Sequence, residues 1–287
     1  MISSCRFCLA GVLAVLLAAC QPAQTEDRPS AKPAGATANP PASPGAAPTT
    51  AGTTGEHTAT RRYRIDISYP SLAANEAPLD AMLHRIAGRA KQDFIQSLPD
   101  PEHFPEFAGR QLQLLIDFEV AARTGDFVSV RETGMQDGGG AHPVPIDSAI
   151  VYDVQAHRTV TLDDLFADPG AARHALADYA RAELTRKIMA QAPKPTEGSI
   201  ESIREWKENA ARMIDDGTQP TEQNFANFIM RAGTAPHYPG PGLTLIFPPY
   251  QVAPYVYGTQ TVEVPARAFE NYLKPLYRPA FGAPVAD

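Results

Sequence analysis

Tyr63-Arg64-Ile65-Asp66-Ile67-Ser68-Tyr69 alternates apolar and polar residues without a break, and Pro70 follows. A period of two puts Tyr63, Ile65, Ile67 and Tyr69 on one face of a strand, which the proline then ends. Immediately after it the period changes. Asn75 stands where a helix cap would, Pro78 is tolerated in a first turn, and Leu79, Met82, Leu83, Ile86, Ala90, Phe94 and Leu98 recur at three-and-four spacing. Pro99 and Pro101 stop that helix. Leu112, Leu114, Ile116, Phe118 and Val120 then alternate again, and Thr124-Gly125-Asp126 turns the chain into a second strand over Phe127 to Glu132. Strand, helix and hairpin in that order make up a first α+β subdomain.

Downstream of Gly138-Gly139-Gly140 the signals continue in the same style. Ala149 to Val154 reads as a strand, and Thr161 with Asp164 three residues on reads as a capping-box analogue. Asp168-Pro169 is a cap followed by proline at the first helical position, with Leu176, Tyr179, Ala180, Leu184 and Ile188 on one face behind it. Ser199 caps a further helix with Ile203, Trp206, Ala210 and Met213 inward. Strand-like Phe225 to Met230, Leu243 to Phe247 and Thr261 to Val264 follow, and a closing helical segment carries Phe269, Tyr272, Leu273 and Leu276. The expected architecture is α+β: a two-part module of mostly antiparallel sheets with helices packed on one face, preceded by a disordered tether.

The tether rests on composition. From Gln21 to Thr60 the chain has no Val, Ile, Leu, Met, Phe, Trp, Tyr or Cys, so nothing offsets its ordering entropy. Proline-rich chain of that length reaches at most about 120 Å, and a flexible coil averages about 35 Å. Before it, Phe7 to Ala19 is an unbroken run of apolar or small residues. A membrane span needs about 20 such residues, so the run reads as a secretory h-region. Leu17-Ala18-Ala19-Cys20 resembles the bacterial lipobox, which makes Cys20 the lipidated first residue of the mature chain and the lipid bilayer its partner. Gln21 after the cysteine resembles the outer-membrane sorting pattern, so the expected location is the outer membrane, facing the periplasm. The divisions expected are therefore 1–19 signal peptide, 20–60 lipidated cysteine and linker, 61–147 an N-terminal subdomain and 148–287 a C-terminal one.

Charge and cysteine usage exclude several function classes. The chain of 287 residues has a net charge of −7, all of it beyond residue 60, where a basic face for phosphates is lacking and a nucleic-acid partner is not expected. Cys5 and Cys8 leave with the signal peptide and Cys20 takes lipid, so no thiol remains as nucleophile, disulfide or ligand. The seven histidines form no H-E-x-x-H or H-x-H pair, so no metal and no cofactor is expected. Serines in G-x-S-x-G or S-x-x-K are absent, and the acidic pairs Asp163/Asp164 and Asp215/Asp216 are explained by helix ends. No catalytic residue is assigned.

Two segments carry the candidate contact residues. Gly138-Gly139-Gly140-Ala141-His142-Pro143 places His142 in extended geometry after a backbone free to adopt positive φ. It either presents an imidazole to a partner or is a wide turn with a hydrogen-bonded histidine. Between strand signals, Phe247-Pro248-Pro249-Tyr250-Gln251-Val252-Ala253-Pro254-Tyr255-Val256-Tyr257-Gly258 carries Tyr250, Tyr255 and Tyr257 around Pro254. Tyrosine has few rotors and an amphipathic ring, which suits a contact surface, although one or two rings can pack under the loop.

These motifs, with Thr161-Leu162-Asp163-Asp164-Leu165-Phe166 and Thr261-Val262-Glu263-Val264-Pro265, resemble the extracellular domain of RsiV-type anti-sigma factors, which also occurs beside the catalytic domain of some peptidoglycan deacetylases. The likeness spans roughly Arg62 to Leu276. It implies a two-part α/β module that binds lysozyme, or a cell-wall component such as peptidoglycan, through the loops of His142 and Tyr250 to Tyr257. The sequence departs from that family in showing neither a spanning helix nor room for a deacetylase domain, and in the proline- and glycine-rich connection Ala232 to Gly242. The expectation is a non-catalytic, membrane-anchored envelope lipoprotein. Two alternatives stand beside it: a glycan-directed hydrolase pairing His142 with a carboxylate such as Asp153, and a purely structural envelope protein.

Overall fold

The fold is seen in a computed structural model that describes residues 54–282, apart from positions 101, 108, 195, 197, 198 and 234–239. The segment expected to be a signal peptide, Cys20 and residues 21–53 lie outside the described residues, as does most of the 232–242 connection.

Among the described residues nine strands form two sheets. The larger has the order β1 (Thr54–Ala59), β2 (Tyr63–Tyr69), β3 (Leu112–Thr124), β4 (Phe127–Asp137), β5 (Val144–Asp153), β6 (Arg158–Val160), and the smaller β7 (Phe228–Arg231), β8 (Gly242–Phe247), β9 (Gln260–Pro265). The alternating segment becomes β2 (Tyr63–Tyr69), whose Ile65, Ile67 and Tyr69 are buried while the residues between them are not. β2 pairs in parallel with β3 (Leu112–Thr124), which requires a crossover, and α1 (Ala77–Ser97) supplies it. Every other pairing in either sheet is antiparallel. α1 lays Leu79, Leu83, Ala87 and Phe94 on the face that carries Ile65, Ile67, Leu114 and Ile116.

Two details of this half differ from expectation. Asn75 does not cap α1; it sits in a 3-10 turn, Ala74–Glu76, and the helix starts two residues later. The reason is Glu76, buried at 3% exposure, which accepts from the Ala73 amide and forms an ion pair with Arg123 at the end of β3. The Arg123 guanidinium holds its carboxyl below the ordinary glutamate range. Second, β1 (Thr54–Ala59) lies inside the segment assigned to the tether. It contains no large apolar residue and exists because it pairs along β2 and because Glu56 accepts from Tyr69 and Lys91.

β4 (Phe127–Asp137) and β5 (Val144–Asp153) form a hairpin longer than either predicted strand, and β6 (Arg158–Val160) closes the sheet. β5 runs through the expected subdomain boundary at 147/148, and the described residues on both sides of it belong to one compact unit. At the base of the hairpin both faces are covered. Val128, Val130 and Tyr152 point into the core beneath α1, whereas Phe127 and Val151 point into a second core. That continuous burial over Phe127–Val130 is why period two fades there.

The second core is built by α2 (Pro169–Met189), α3 (Ile200–Gly217) and the small sheet, β7 (Phe228–Arg231), β8 (Gly242–Phe247) and β9 (Gln260–Pro265). The expected caps are present: Asp168 accepts from the Ala171 amide, Ser199 from the Ser202 amide, and Thr161 and Asp164 bond reciprocally. On α3 the buried positions are Ala210, Ile214 and Gly217, while Ile203, Trp206 and Met213 are half-buried. Phe225 falls in a 3-10 turn rather than a strand, and the closing segment is a chain of 3-10 turns rather than an α-helix. Pro265, Pro275 and Pro279 remove the amides that an α-helix would need, and Leu276, expected inward, is exposed.

β7 ties the two halves together. The Met230 amide donates to Ser129 Oγ at 3.0 Å, Thr124 Oγ1 donates to the Met230 carbonyl at 3.0 Å, and the Ala149 amide donates to Asn227 Oδ1 at 3.4 Å. This crossing fixes the loop before β9 relative to the β4–β5 hairpin.

Candidate functional site

The hairpin tip, residues 138–143, is held from below. Gly139 has φ +90° and lies so close to Phe107 that an added Cβ would stand 2.4 Å from the ring. Its amide donates to Asp137, which also takes a two-pronged bond from Arg110. Only glycine fits that position, so the glycine run serves to seat the turn against Phe107. His142 then projects from an anchored base.

The tyrosine loop is pinned just as firmly. Val252 and Ala253 are buried, and Gln251 Nε2 donates to the carbonyls of Gly217 at the end of α3 (3.0 Å) and of Asn224 in the 3-10 turn Gln223–Phe225 (2.9 Å). Tyr257 packs against Trp206, whose indole N–H donates to the Tyr257 hydroxyl at 3.2 Å, so this ring is used internally. Pro254 starts the 3-10 turn Tyr255–Tyr257, and its carbonyl accepts from the Tyr257 amide at 3.0 Å. Tyr250 has φ +72°, a left-handed conformation that costs a non-glycine residue about 1–2 kcal/mol. Its amide donates to the Ala253 carbonyl at 3.0 Å, which holds that conformation.

These two loops meet. Tyr250 Oη lies 3.0 Å from His142 Nε2, and Tyr255 donates to the Pro143 carbonyl at 3.3 Å. The His142 ring stacks on Tyr255 with centroids 4.3 Å apart and planes 26° apart, and Tyr250 and Tyr255 are 5.8 Å apart. Exposed apolar groups gather on the same two loops: Val144 beside the tip, Val256 at 73% exposure and Tyr250 at 55%. Phe104 is exposed as well and packs edge-on against the Phe107 that supports Gly139. His142, Tyr250 and Tyr255 thus form one aromatic corner, whereas Tyr257 pairs with Trp206 and Pro254 shapes the turn.

Residues 163–267 match the family DUF3298, described as a protein of unknown function. The DUF3298 match contains the whole tyrosine loop but leaves out His142. Two crystal structures of DUF3298 members are similar in fold, both at 16% identity and covering 80% of this chain. One, from Bacteroides fragilis, is covered over 96% of its length with a TM-score of 0.53; the other, from Pseudomonas aeruginosa, over 94% with a TM-score of 0.50. Both therefore extend beyond the DUF3298 segment to most of the fold. The peptidoglycan-N-acetylmuramic acid deacetylase PdaC of Bacillus subtilis is 22% identical over 219 residues, which are 76% of this chain. The chain spans 40% of the length of PdaC.

The pairing of His142 with Asp153 does not form. Asp153 stands at the opposite end of β5, and its Oδ1 accepts from the amides of Gln155 and Ala156 in the turn that follows. Eleven residues at about 3.3 Å each put the two roughly 36 Å apart along the strand. Asp163 pairs with Arg173 and Asp215 with Arg181, which gives those acids structural partners. No cluster of three His, Cys, Asp or Glu suited to a metal occurs among the described residues, and no described helix is long and apolar enough to cross a membrane.

Proposed function

We propose that this chain is an RsiV-like envelope lipoprotein whose folded head binds a macromolecular partner through the corner of His142, Tyr250 and Tyr255, and catalyses no reaction. The partner class is a lysozyme-like enzyme or a cell-wall component, with anchoring through acylated Cys20 in the outer membrane. One observation carries the reading: two loops separated by 108 residues in sequence are each rigidly seated, and converge to expose rings and apolar side chains instead of burying them. Rigid, amphipathic aromatics bind at low entropic cost, and residues of this type dominate interface energetics. The left-handed Tyr250 adds weight, because a strained aromatic residue persists where its placement is useful. The similarity to PdaC, a peptidoglycan deacetylase by name, supports a cell-wall setting.

The geometry also suits a tether. Thr54, where the upstream chain enters β1, pairs with Tyr69, whereas the tip lies beyond the row of Ala59, Arg64, Gln113 and Asp137. Five residues at about 3.4 Å separate these ends by roughly 17 Å, so the corner is on the side away from the attachment. Capture of lysozymes and peptidoglycan fragments by the full chain is the test. Tyr255→Ala is expected to weaken capture at least tenfold without changing thermal stability by more than a few degrees. Equal capture by the variant removes the corner from the binding surface.

A further inference from the structure

The hydrogen-bonding roles within the corner can be assigned one by one. His142 Nδ1 lies 3.1 Å from the Pro143 carbonyl oxygen, which can only accept, so Nδ1 carries the hydrogen. In the neutral ring Nε2 then holds a lone pair, and the contact at 3.0 Å must be Tyr250 donating its hydroxyl hydrogen to it. Tyr255 spends its own hydroxyl hydrogen on the Pro143 carbonyl. All three side chains therefore direct their N–H and O–H hydrogens inward. What they turn outward is the lone-pair side of the Tyr250 oxygen and the negative faces of aromatic rings.

We infer that the group this corner takes from its partner is a guanidinium or ammonium, that is, an arginine or lysine side chain of a basic protein segment. The inference rests on the reading of the corner as a binding surface and adds the chemistry of its occupant. A cation over Tyr250 gains the ring quadrupole and donates to a hydroxyl oxygen that is free to accept, whereas a carboxylate meets lone pairs and ring faces. A planar, weakly hydrated guanidinium loses less on leaving water than an ammonium, so arginine is favoured over lysine. Net charge points the same way, since the chain carries 32 acidic against 25 basic residues. The molecule already uses this contact at the base of the tip, where the Arg110 guanidinium lies 5.9 Å from the centre of the Phe107 ring.

The test is a titration of the full chain with three blocked pentapeptides of glycine, bearing arginine, citrulline or glutamate at the centre. Citrulline keeps the shape of arginine and removes the charge. The expected order is arginine, then citrulline, then glutamate, with at least a tenfold step between the first two. Tyr250→Leu is expected to bring that step below twofold, and Tyr250→Phe, which keeps the ring, to retain part of it. Equal binding of arginine and citrulline, or an arginine preference untouched by Tyr250→Leu, overturns the inference. The two readings fail separately. If Tyr255→Ala abolishes capture of the macromolecule while arginine and citrulline bind alike, the surface stands and the cationic occupant falls. If capture is also unchanged, both fall.

Discussion

Arg231→Ala is expected to destabilise the protein by about 2–4 kcal/mol, through the cavity left by a buried side chain and the hydrogen bonds lost with it. Arg231 ends β7 and is 2% exposed, the bulkiest fully buried side chain among the described residues. Its guanidinium crosses beneath the small sheet and donates to the carbonyls of Gly240, Leu243 and Val264, with Glu263 at 2.7 Å. Three strands and the connection between β7 and β8 thus share one cation. Removing it leaves carbonyls without a donor and a cavity where the stem lay. Gly242 belongs to the same arrangement, since a Cβ there would stand 2.8 Å from the guanidinium and 2.1 Å from the Val264 carbonyl. At roughly 2–4 °C per kcal/mol for a domain of this size, the expected fall in Tm is on the order of 10 °C. Thermal and denaturant unfolding of Arg231→Ala beside Arg231→Lys measure it. A change under 1 kcal/mol in the alanine variant would show that the small sheet does not depend on this cation.

Gly217→Ala is expected to cost about 1–3 kcal/mol and, unlike Arg231→Ala, to damage the corner directly. Gly217 ends α3 and is buried against the tyrosine loop: an added Cβ would lie 2.1 Å from the Gln251 carbonyl oxygen and 2.8 Å from Val252. Both neighbours are held, one by the hydrogen bonds of Gln251 and the other by the core, so the loop must shift. Tyr250 is adjacent to Gln251, and its contact with His142 is a single bond at 3.0 Å. Partner capture is therefore expected to fall along with stability. In contrast, Tyr255→Ala should reduce capture with little loss of stability. Comparing the two variants at a temperature where both are folded separates positioning of the corner from its direct contact. Full capture by a folded Gly217→Ala would mean that the loop tolerates displacement.

The parts of this fold that were legible in the sequence are those decided locally. Alternation over Tyr63–Tyr69 and from Leu112 onward marks strands with one buried face, and the caps at Asp168 and Ser199 declare their helices. Where burial is two-sided or tertiary contacts rule, the local signal fails. β1 has no apolar pattern and is a strand only because β2 and Glu56 hold it. The start of α1 follows the ion pair of buried Glu76 with Arg123 rather than the better cap at Asn75, a preference set by a residue 47 positions away. In the final segment, proline spacing outweighs the helical spacing of Phe269, Tyr272 and Leu273.

The corner shows the same division. Each loop announces itself by composition, through its glycines or its prolines and tyrosines. Their meeting depends on β7 crossing the hairpin through Ser129, Thr124 and Asn227, which no spacing in the chain encodes. Likewise, the engagement of the Tyr257 hydroxyl depends on Trp206, 51 residues away.

Hydrogen–deuterium exchange of the full chain with and without a captured lysozyme or peptidoglycan fragment decides whether the corner is the binding surface. Added protection is expected only over residues 138–144 and 248–258, with the faces of α1 and β1 unchanged. Protection that spares both loops and falls instead on the open sheet face around His57, Asp66 and Asp117 would rule the corner out.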